Sequence, residues 1–253
     1  MEFSMKILPG IIFLLLVTIS QKLSALTISV LEAAPSSVVY SNMLEAIYKR
    51  ADIPLEFVVM PTQRSLSQST RGIIDGELVR IHKVGDLYPT LIRVPTPYTF
   101  FESRAFARTK SIQRDIQQDG WNALQDYRIG IVRGMKHAEI GLKDNKDIID
   151  VNRTEQLFRM LELNRLDIAI SSRVNGLSFI DKFDLQSVHL LEPALQRHDL
   201  YHYLHEKNKH YVPILDKTIK AMQESGELEA LKEFFITELL DGNLEVPGNF
   251  ERK

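Results

Sequence analysis

Apolar and polar residues follow two alternating periods along the first part of the chain. Residues 26–30 alternate apolar and polar side chains, which is typical of a half-buried strand, and residues 40–51 repeat apolar side chains at helical spacing behind Ser36 and Ser37 as expected caps. A second strand is expected over 55–60. The run GIIDGELVRI, residues 72–81, also has the pattern of a strand, although it carries two acids and an arginine.

The same order of elements returns in the second part of the chain. The pattern predicts strands over 128–132, 148–151 and 166–171, with a helix after Gly134 and another over 154–163. Two βαβαβ series of this kind favour an α/β fold with mostly parallel sheets and helices on both faces.

Two extended segments are expected to connect the two series. The first is RVPTPYTFFESRAFART, residues 93–109, and the second is HDLYHYLHEKN, residues 198–208. The end of the chain is predicted to be helical, with a break at Ser225-Gly226 and an apolar face formed by Leu228, Leu231 and Phe235.

Composition narrows the class of protein. The chain has 253 residues, of which 44% are hydrophobic and 25% charged, so it is globular and long enough for two lobes. The net charge of −2 is spread over interspersed signs, which argues against nucleic acid or an anionic membrane as a partner. A small-molecule or protein partner fits better. The chain contains no cysteine, which excludes disulfides and a lipid-modified N-terminal cysteine.

The first 25 residues have the pattern of a secretory signal. Lys6 precedes the apolar run 7–19, and small residues follow at Ser24-Ala25. A membrane anchor is the alternative, but about 13 apolar residues fall short of the roughly 20 that span a bilayer. We therefore expect a cleaved signal peptide over 1–25 and a periplasmic protein.

Three stretches of the chain resemble one known family. LQDYRIGIVRGM (124–135), LFRMLELNRLDIAIS (157–171) and LDKTIKAMQESGELEALKEFF (215–235) are similar to segments of bacterial solute-binding protein family 3, the periplasmic amino-acid-binding type. The resemblance implies the type II periplasmic-binding-protein fold, a two-lobed clamp with two crossover strands as hinge.

The resemblance also implies a division of the chain. Lobe 1 would comprise residues 26–103, lobe 2 residues 104–196, and residues 197–253 would return to lobe 1 with the C-terminal helices. Ligands of open α/β sheets bind outside the carboxyl ends of the strands, so the cleft between the lobes is the expected site.

Two arginines of the first series are candidates for binding a carboxylate. Arg80 is expected at the carboxyl end of its strand, and Arg64 follows the strand 55–60. A guanidinium group suits a carboxylate because its planar fork gives two parallel charge-assisted bonds. The alternative is that both are surface or ion-paired residues, with Arg80 pairing Glu77 or Asp75.

Four further candidates in the first part of the chain rest on the resemblance. Tyr98 and Phe100 match the proline-aromatic segment of the family at the lobe crossing, and Glu32 and Tyr40 follow the first strand, where the family places ligand contacts. Core packing at the hinge or helix capping would also explain these residues.

In the second series, the resemblance implies a carboxylate-binding turn at Arg133, Gly134 and Met135. The family's usual Ser or Thr is missing there, and Ser172 stands where the family has an amine-binding aspartate. The ligand therefore either has no amine or binds it through other residues such as Glu32.

Four histidines, His198, His202, His205 and His210, lie close together in sequence, in a spacing that raises the alternative of a metal site. Strand geometry would turn His205 away from His198 and His202, so we expect neither a metal nor a cofactor.

The expected function is capture of a small, amino-acid-like carboxylate ligand for an ABC transporter, by a monomer. A ligand-sensing module for a membrane signalling protein is the first alternative. The second is an enzyme similar to cyclohexadienyl dehydratase, with Glu32 or Glu102 as general acid. We do not expect an enzyme, because the acids are isolated residues. The sequence leaves the identity of the ligand open.

Overall fold

The computed structural model describes residues 24–32, 34–133 and 135–246. Residues 1–23 of the predicted signal peptide, and Gly134 of the predicted carboxylate-binding turn, lie outside the described residues. Within the described ranges, no helix combines the length and the apolar character needed to cross a membrane.

Strands and helices alternate along the described chain. The strands are β1 Leu26–Leu31, β2 Leu55–Met60, β3 Gly76–Ile81, β4 Leu91–Arg93, β5 Thr99–Ala107, β6 Ile129–Val132, β7 Ile148–Val151, β8 Ile168–Ser172, β9 His189–Leu190 and β10 Gln196–His205. The α-helices are α1 Pro35–Arg50, α2 Thr62–Thr70, α3 Val84–Leu87, α4 Gln113–Asp119, α5 Lys136–Gly141, α6 Thr154–Glu162, α7 Arg173–Lys182, α8 Val212–Glu224 and α9 Glu227–Leu240. Short 3₁₀ helices cover Gly120–Leu124 and Glu206–Tyr211.

All the strands belong to one sheet with the path β2-β1-β3-β10-β5-β8-β6-β7, from which β4 and β9 branch. Strands β2, β1 and β3 are parallel and form the first half-sheet, and strands β8, β6 and β7 are parallel and form the second half-sheet. Between them, β10 and β5 run antiparallel to each other and to their outer neighbours. This architecture confirms the predicted α/β fold with two mostly parallel sheets and two crossing strands.

Each half-sheet has its own apolar core. Helices α1, α8 and α9 pack on the first half-sheet in a core that includes Leu44, Ile219 and Leu239. In the second half-sheet Ile168 and Ile170 of β8 face one core, whereas Ala169 faces another. Side chains alternate between the faces of a strand, so this pattern places helices on both faces, as predicted.

Two predicted boundaries are wrong for local reasons. Only residues 76–81 of the run 72–81 form a strand, because the chain turns at Gly72, which has a φ of 69°. Helix α1 begins at Pro35 with Ala34 as its N-cap, so Ser36 and Ser37 are helical residues and not caps. Proline favours the first helical position because its fixed φ suits the helix.

Candidate functional site

Several polar residues that were predicted to bind the ligand lie at the carboxyl edges of the two half-sheets. In the first, Glu32 follows β1, its N–H donates to Met60 O at 3.3 Å, and Arg64 lies in the first turn of α2. Both side chains are exposed. Parallel strands end at the same edge of a sheet, so this edge carries the carboxylate of Glu32 and the guanidinium of Arg64. We call it, together with its counterpart in the second half-sheet, the strand-end cleft.

The second half-sheet presents Arg133, Met135 and Ser172 at its corresponding edge. Arg133 follows β6, is exposed, and donates its N–H to Val151 O at 2.8 Å. Ser172 ends β8 and caps α7, because its hydroxyl accepts a hydrogen bond from Asn175 N at 3.2 Å. The structure thus places these residues at one edge, and a ligand contact for each of them stays a prediction.

Arg80 belongs to a buried polar cluster. Its Nη2 lies 2.6 Å from Glu77 Oε2 and donates to Ser65 Oγ at 3.3 Å. Glu77 is only 1% exposed, and its carboxylate also accepts hydrogen bonds from the hydroxyls of Ser65 and Ser69. We call Ser65, Ser69, Glu77 and Arg80 the Glu77 cluster. Of the two expected partners, Arg80 pairs with Glu77.

Asp75, the other expected partner, lies at the opposite end of β3. It accepts hydrogen bonds from Thr27 N at 2.8 Å and Asn208 Nδ2 at 2.7 Å, and it pairs with Lys207 Nζ at 2.9 Å. It therefore anchors the amino end of the strand, far from the predicted cleft.

A buried histidine continues the Glu77 cluster toward α1. His202 Nδ1 lies 2.8 Å from Glu77 O, and His202 Nε2 lies 2.7 Å from Tyr48 Oη. A carbonyl oxygen only accepts, so Nδ1 carries the proton and Nε2 accepts from the tyrosine hydroxyl. Burial lowers the pKa of His202 to about 4, which keeps the ring neutral.

The histidines that raised the alternative of a metal site are spread apart. His198 stacks on Phe101 with ring centroids 4.6 Å apart, whereas the ring of His205 lies against Gly72. Within the part of the chain that the structure describes, no three histidines, acids or cysteines come together as a metal site.

A cavity of about 240 Å³ lies where β5 passes between the two half-sheets. Tyr40, Phe100 and Ser172 of the predicted ligand residues line it, so the structure brings these three together. Its charged walls come from β5, α7, α9 and the loop before β10: Glu102, Arg104, Arg173, Glu192, Glu229, Lys232 and Glu233. We call this space the hinge cavity.

Arg104 is the buried guanidinium of the hinge cavity. It is 7% exposed, its Nη2 lies 2.7 Å from Glu102 Oε2, and its Nη1 pairs with Glu192. Arg173 at the start of α7 pairs with Glu233 of α9 at 3.2 Å. Both arginines therefore already have carboxylate partners.

Lys232 is the buried ammonium of the same cavity. It is 5% exposed, and its Nζ lies 2.9 Å from the centroid of the Phe100 ring, while Arg197 Cζ lies 3.4 Å from that centroid. Burial lowers the pKa of Lys232 to about 8, although Glu229, Glu102 and Glu233 oppose the shift.

The two tyrosines that were predicted to bind the ligand, Tyr98 and Tyr40, direct their hydroxyls at backbone carbonyls of the hinge region. Tyr98 is 2% exposed, and its hydroxyl lies within hydrogen-bonding distance of Tyr40 O at 3.2 Å and Leu78 O at 3.3 Å. Tyr40 Oη donates to Phe100 O at 3.5 Å. Tyr98 also borders a smaller cavity of about 100 Å³ that shares Phe100 and Lys232 with the hinge cavity.

Sequence reasoning missed Arg104 and Lys232. Arg104 stands two residues after Glu102 in a crossing strand that is mostly apolar, and this pattern could have indicated it. Lys232 lies on the buried stripe of α9 formed with Leu228, Ile236 and Leu239. Of the predicted face, Leu228 is buried, whereas Leu231 and Phe235 are only partly buried, so the prediction did not place Lys232 on the buried side.

Comparison with known proteins identifies the fold. No protein-family model matches the chain, and no curated protein matches it. Among solved structures, the GluR0 ligand-binding core in complex with L-glutamate matches with a TM-score of 0.68 at 10% identity, over 84% of this chain and 98% of that one.

Two further structures match over a similar extent. One is a histidine kinase sensor domain with similarity to periplasmic binding proteins, with a TM-score of 0.63 and 15% identity over 83% of this chain and 95% of that one. The other is an amino acid ABC transporter substrate-binding protein, AbpA from Streptococcus pneumoniae, bound to L-arginine. Its TM-score is 0.62 at 17% identity, over 85% of this chain and 96% of that one.

These matches confirm the two-lobed clamp of the type II periplasmic-binding-protein fold that the resemblance implied. At this level of identity they establish the fold alone, and the three matched proteins are described as binding or sensing proteins.

Proposed function

We propose that this chain is a periplasmic solute-binding protein that closes its two lobes around a small carboxylate-bearing, amino-acid-like ligand. It binds the ligand in the strand-end cleft, acts as a monomer, and releases the ligand chemically unchanged. The lobe boundaries follow the crossings of β5 and β10: lobe 1 comprises residues 26–103 and 197–253, and lobe 2 comprises residues 104–196.

One observation carries the proposal. Along the sheet path of the described residues, the antiparallel pair β10 and β5 joins the two parallel half-sheets. Such a pair of crossing strands absorbs a change of angle between two rigid bodies, which is how a clamp closes on a ligand. The exposed Arg64 and Arg133 on the two carboxyl edges supply positive charge for a carboxylate.

Delivery to an ABC transporter is the proposed role, and ligand sensing for a membrane signalling protein is the alternative. The transporter substrate-binding protein and the kinase sensor domain among the matched structures support these two roles about equally. Both require the same clamp, so the first test concerns binding and closure.

The test begins with a thermal-shift screen of amino acids, keto acids, dicarboxylates and aromatic acids. A ligand at 100 times its dissociation constant stabilises the folded state by about 2.7 kcal/mol, which such a screen detects. Small-angle scattering with and without the best ligand should then show a smaller radius of gyration. An unchanged radius at saturation contradicts the clamp, and mass spectrometry showing conversion of the ligand contradicts a binding role.

A matched pair of variants locates the ligand. Arg64→Gln removes an exposed guanidinium at the cleft and should weaken binding by about tenfold, equivalent to about 1.4 kcal/mol. Arg71→Gln removes an equally exposed guanidinium beyond the other end of α2 and should leave affinity unchanged. Equal affinities of the two variants contradict the placement of the ligand at the strand-end cleft.

A further inference from the structure

The glutamates of the hinge cavity attract the ammonium group of Lys232, but none of them forms an ion pair with it among the described residues. Among the described residues, no hydrogen bond or ion pair reaches its Nζ, although the residue is only 5% exposed. A buried cation normally has a carboxylate partner, because removing it from water costs several kcal/mol. The two arginines of the same cavity, Arg104 and Arg173, each have one.

The ring of Phe100 replaces only part of the missing interaction. Lys232 and Arg197 both lie over this ring, at 2.9 Å and 3.4 Å from its centroid. The attraction of a cation to an aromatic face is weaker than the cost of burying the charge. Two cations on one ring also repel each other, so an anion placed between the cavity walls would be attracted to Lys232.

The acids around Lys232 are committed elsewhere, with one exception. Glu102 pairs with Arg104, and Glu233 pairs with Arg173. Glu229 precedes Lys232 by one turn of α9 and lines the same cavity, and it has no ion pair among the described residues. The uncommitted charges of the cavity are therefore one ammonium and one carboxylate, one turn apart on a single helix.

The size and the lining of the hinge cavity limit which ligands can complement these two charges. Its volume of about 240 Å³ lies below the 300 to 1,000 Å³ that is usual for drug-sized ligands. Phe100, Val174 and Ile236 provide apolar wall between the charged groups. A compact molecule with one carboxylate, one ammonium and a short apolar part has the right size and charge.

We propose that the hinge cavity is a second ligand site that binds a small zwitterion, with its carboxylate on Lys232 and its ammonium on Glu229. The hinge cavity adjoins the strand-end cleft at Ser172 but differs from it in its charged groups, because Glu32, Arg64 and Arg133 do not line it. Its walls come from α9 on the first half-sheet and from α7 at the end of the second. A bound zwitterion therefore contacts both halves and favours the arrangement of lobes in which these walls meet.

The test uses three probes that differ only in charge: L-alanine, propionate and ethylammonium. Calorimetric titration of the purified protein at neutral pH should show saturable binding of L-alanine, weaker binding of propionate, and none of ethylammonium. Lys232→Met keeps the side-chain length over Phe100 and should weaken L-alanine and propionate by about tenfold or more. Glu229→Gln should weaken L-alanine and leave propionate unchanged. Lys217→Met on the exposed surface of α8 is the control and should behave as the unaltered protein.

Two results overturn the site. One is unchanged L-alanine affinity in a folded Lys232→Met protein. The other is the absence of saturable binding of L-alanine up to roughly 10 mM, where even a weak dissociation constant of about 1 mM would be evident. Arg64→Gln separates this site from the proposed cleft: loss of L-alanine binding in Arg64→Gln but not in Lys232→Met assigns the ligand to the cleft and overturns the hinge site alone.

A second measurement decides the matter if Lys232→Met does not fold. The rate of acetylation of Lys232 in the unaltered protein, followed against pH by mass spectrometry, reports its protonation. Glu229, Glu233, Glu102 and Arg197 surround this ammonium and stay constant in the comparison. Saturating L-alanine should shift the acetylation profile to higher pH, because an added carboxylate favours the charged form. An unchanged profile overturns the site.

Discussion

The Glu77 cluster and the hinge cavity both bury charged side chains beside the sheet, but they differ in how those charges are satisfied. The Glu77 carboxylate accepts from two serine hydroxyls and the Arg80 guanidinium, and it is 1% exposed. In the hinge cavity, Arg104 pairs with Glu102 and with Glu192, whose side chain is 57% exposed, and Lys232 has no carboxylate partner among the described residues.

The comparison distinguishes a buried charge that stabilises the fold from a buried charge that can still bind a ligand. A buried acid with several donors has no remaining acceptor capacity for a ligand, so its role is to hold β3 against α2. A buried cation facing a cavity without a partner retains its capacity to bind an anion. An ion pair with a carboxylate distinguishes the two arginines Arg80 and Arg104 from Lys232.

The largest expected effect comes from breaking the Glu77 cluster. Arg80→Ala leaves a buried carboxylate without its cation and should lower the free energy of unfolding by about 3 to 5 kcal/mol, measured by urea denaturation. Arg64→Ala, which removes an exposed arginine nearby, should change it by at most about 0.5 kcal/mol.

A loss below about 1 kcal/mol in Arg80→Ala would show that the ion pair is not structural. Ligand binding by Arg80 stays a prediction, and Arg80→Lys tests it. This variant keeps a positive charge beside Glu77 but lacks the planar fork, so a loss of ligand affinity with retained stability would assign Arg80 to the ligand as well.

The next effect is a dependence of stability on pH through His202. Its pKa falls from 6.5 in the ordinary state to about 4 in the folded protein, so the unfolded chain takes up the proton first as the pH falls. The contribution of His202 is fully present above pH 6.5 and is lost as the pH falls toward 4.

Between pH 7 and pH 5, this loss should amount to about 2 kcal/mol. His202→Asn should reduce the pH dependence of unfolding by that amount, although the variant is less stable at every pH because it loses contact with Tyr48. Parallel stability curves for the two proteins would mean that the pKa of His202 is the same in the folded and the unfolded states.

The smallest expected effect concerns the hinge cavity. Arg104→Ala should cost about 1 to 2 kcal/mol, because Glu192 can turn toward solvent once its partner is removed. Glu192→Gln should cost about 0.5 kcal/mol or less. Urea denaturation of both variants beside Arg80→Ala checks this ranking. An equal loss of the free energy of unfolding in Arg104→Ala and Arg80→Ala would contradict the distinction between the hinge cavity and the Glu77 cluster.

The alternation of strands and helices was predictable because it rests on local periodicity. Strands over 55–60 and 148–151 and the break at Ser225-Gly226 appear as expected, and Gly226 has a φ of 76°. These features depend on residues close in sequence, whose apolar spacing or conformational preference decides the structure.

The polar contacts were less accessible to sequence reasoning. Pairing of Arg80 with Glu77 was foreseen as an alternative, but burial of Glu77 under Ser65 and Ser69 depends on how α2 packs against β3. The unpartnered state of Lys232 depends on three elements distant in sequence, β5, β10 and α9. Local sequence patterns contain no information about contacts between elements that are distant in sequence. The hinge cavity therefore became visible only in the tertiary structure.

The position of β10 also has a consequence for the order in which the chain folds. Strand β10, residues 196–205, pairs with β3 at residues 76–81 and with β5 at residues 99–107. The second half-sheet is complete once residue 172 has been made, whereas the first lacks its inner neighbour and the helices α8 and α9 until the last quarter of the chain emerges. Contacts between such distant residues form slowly, because a long loop must close first. The part of the chain synthesised first is therefore among the last to reach its final packing.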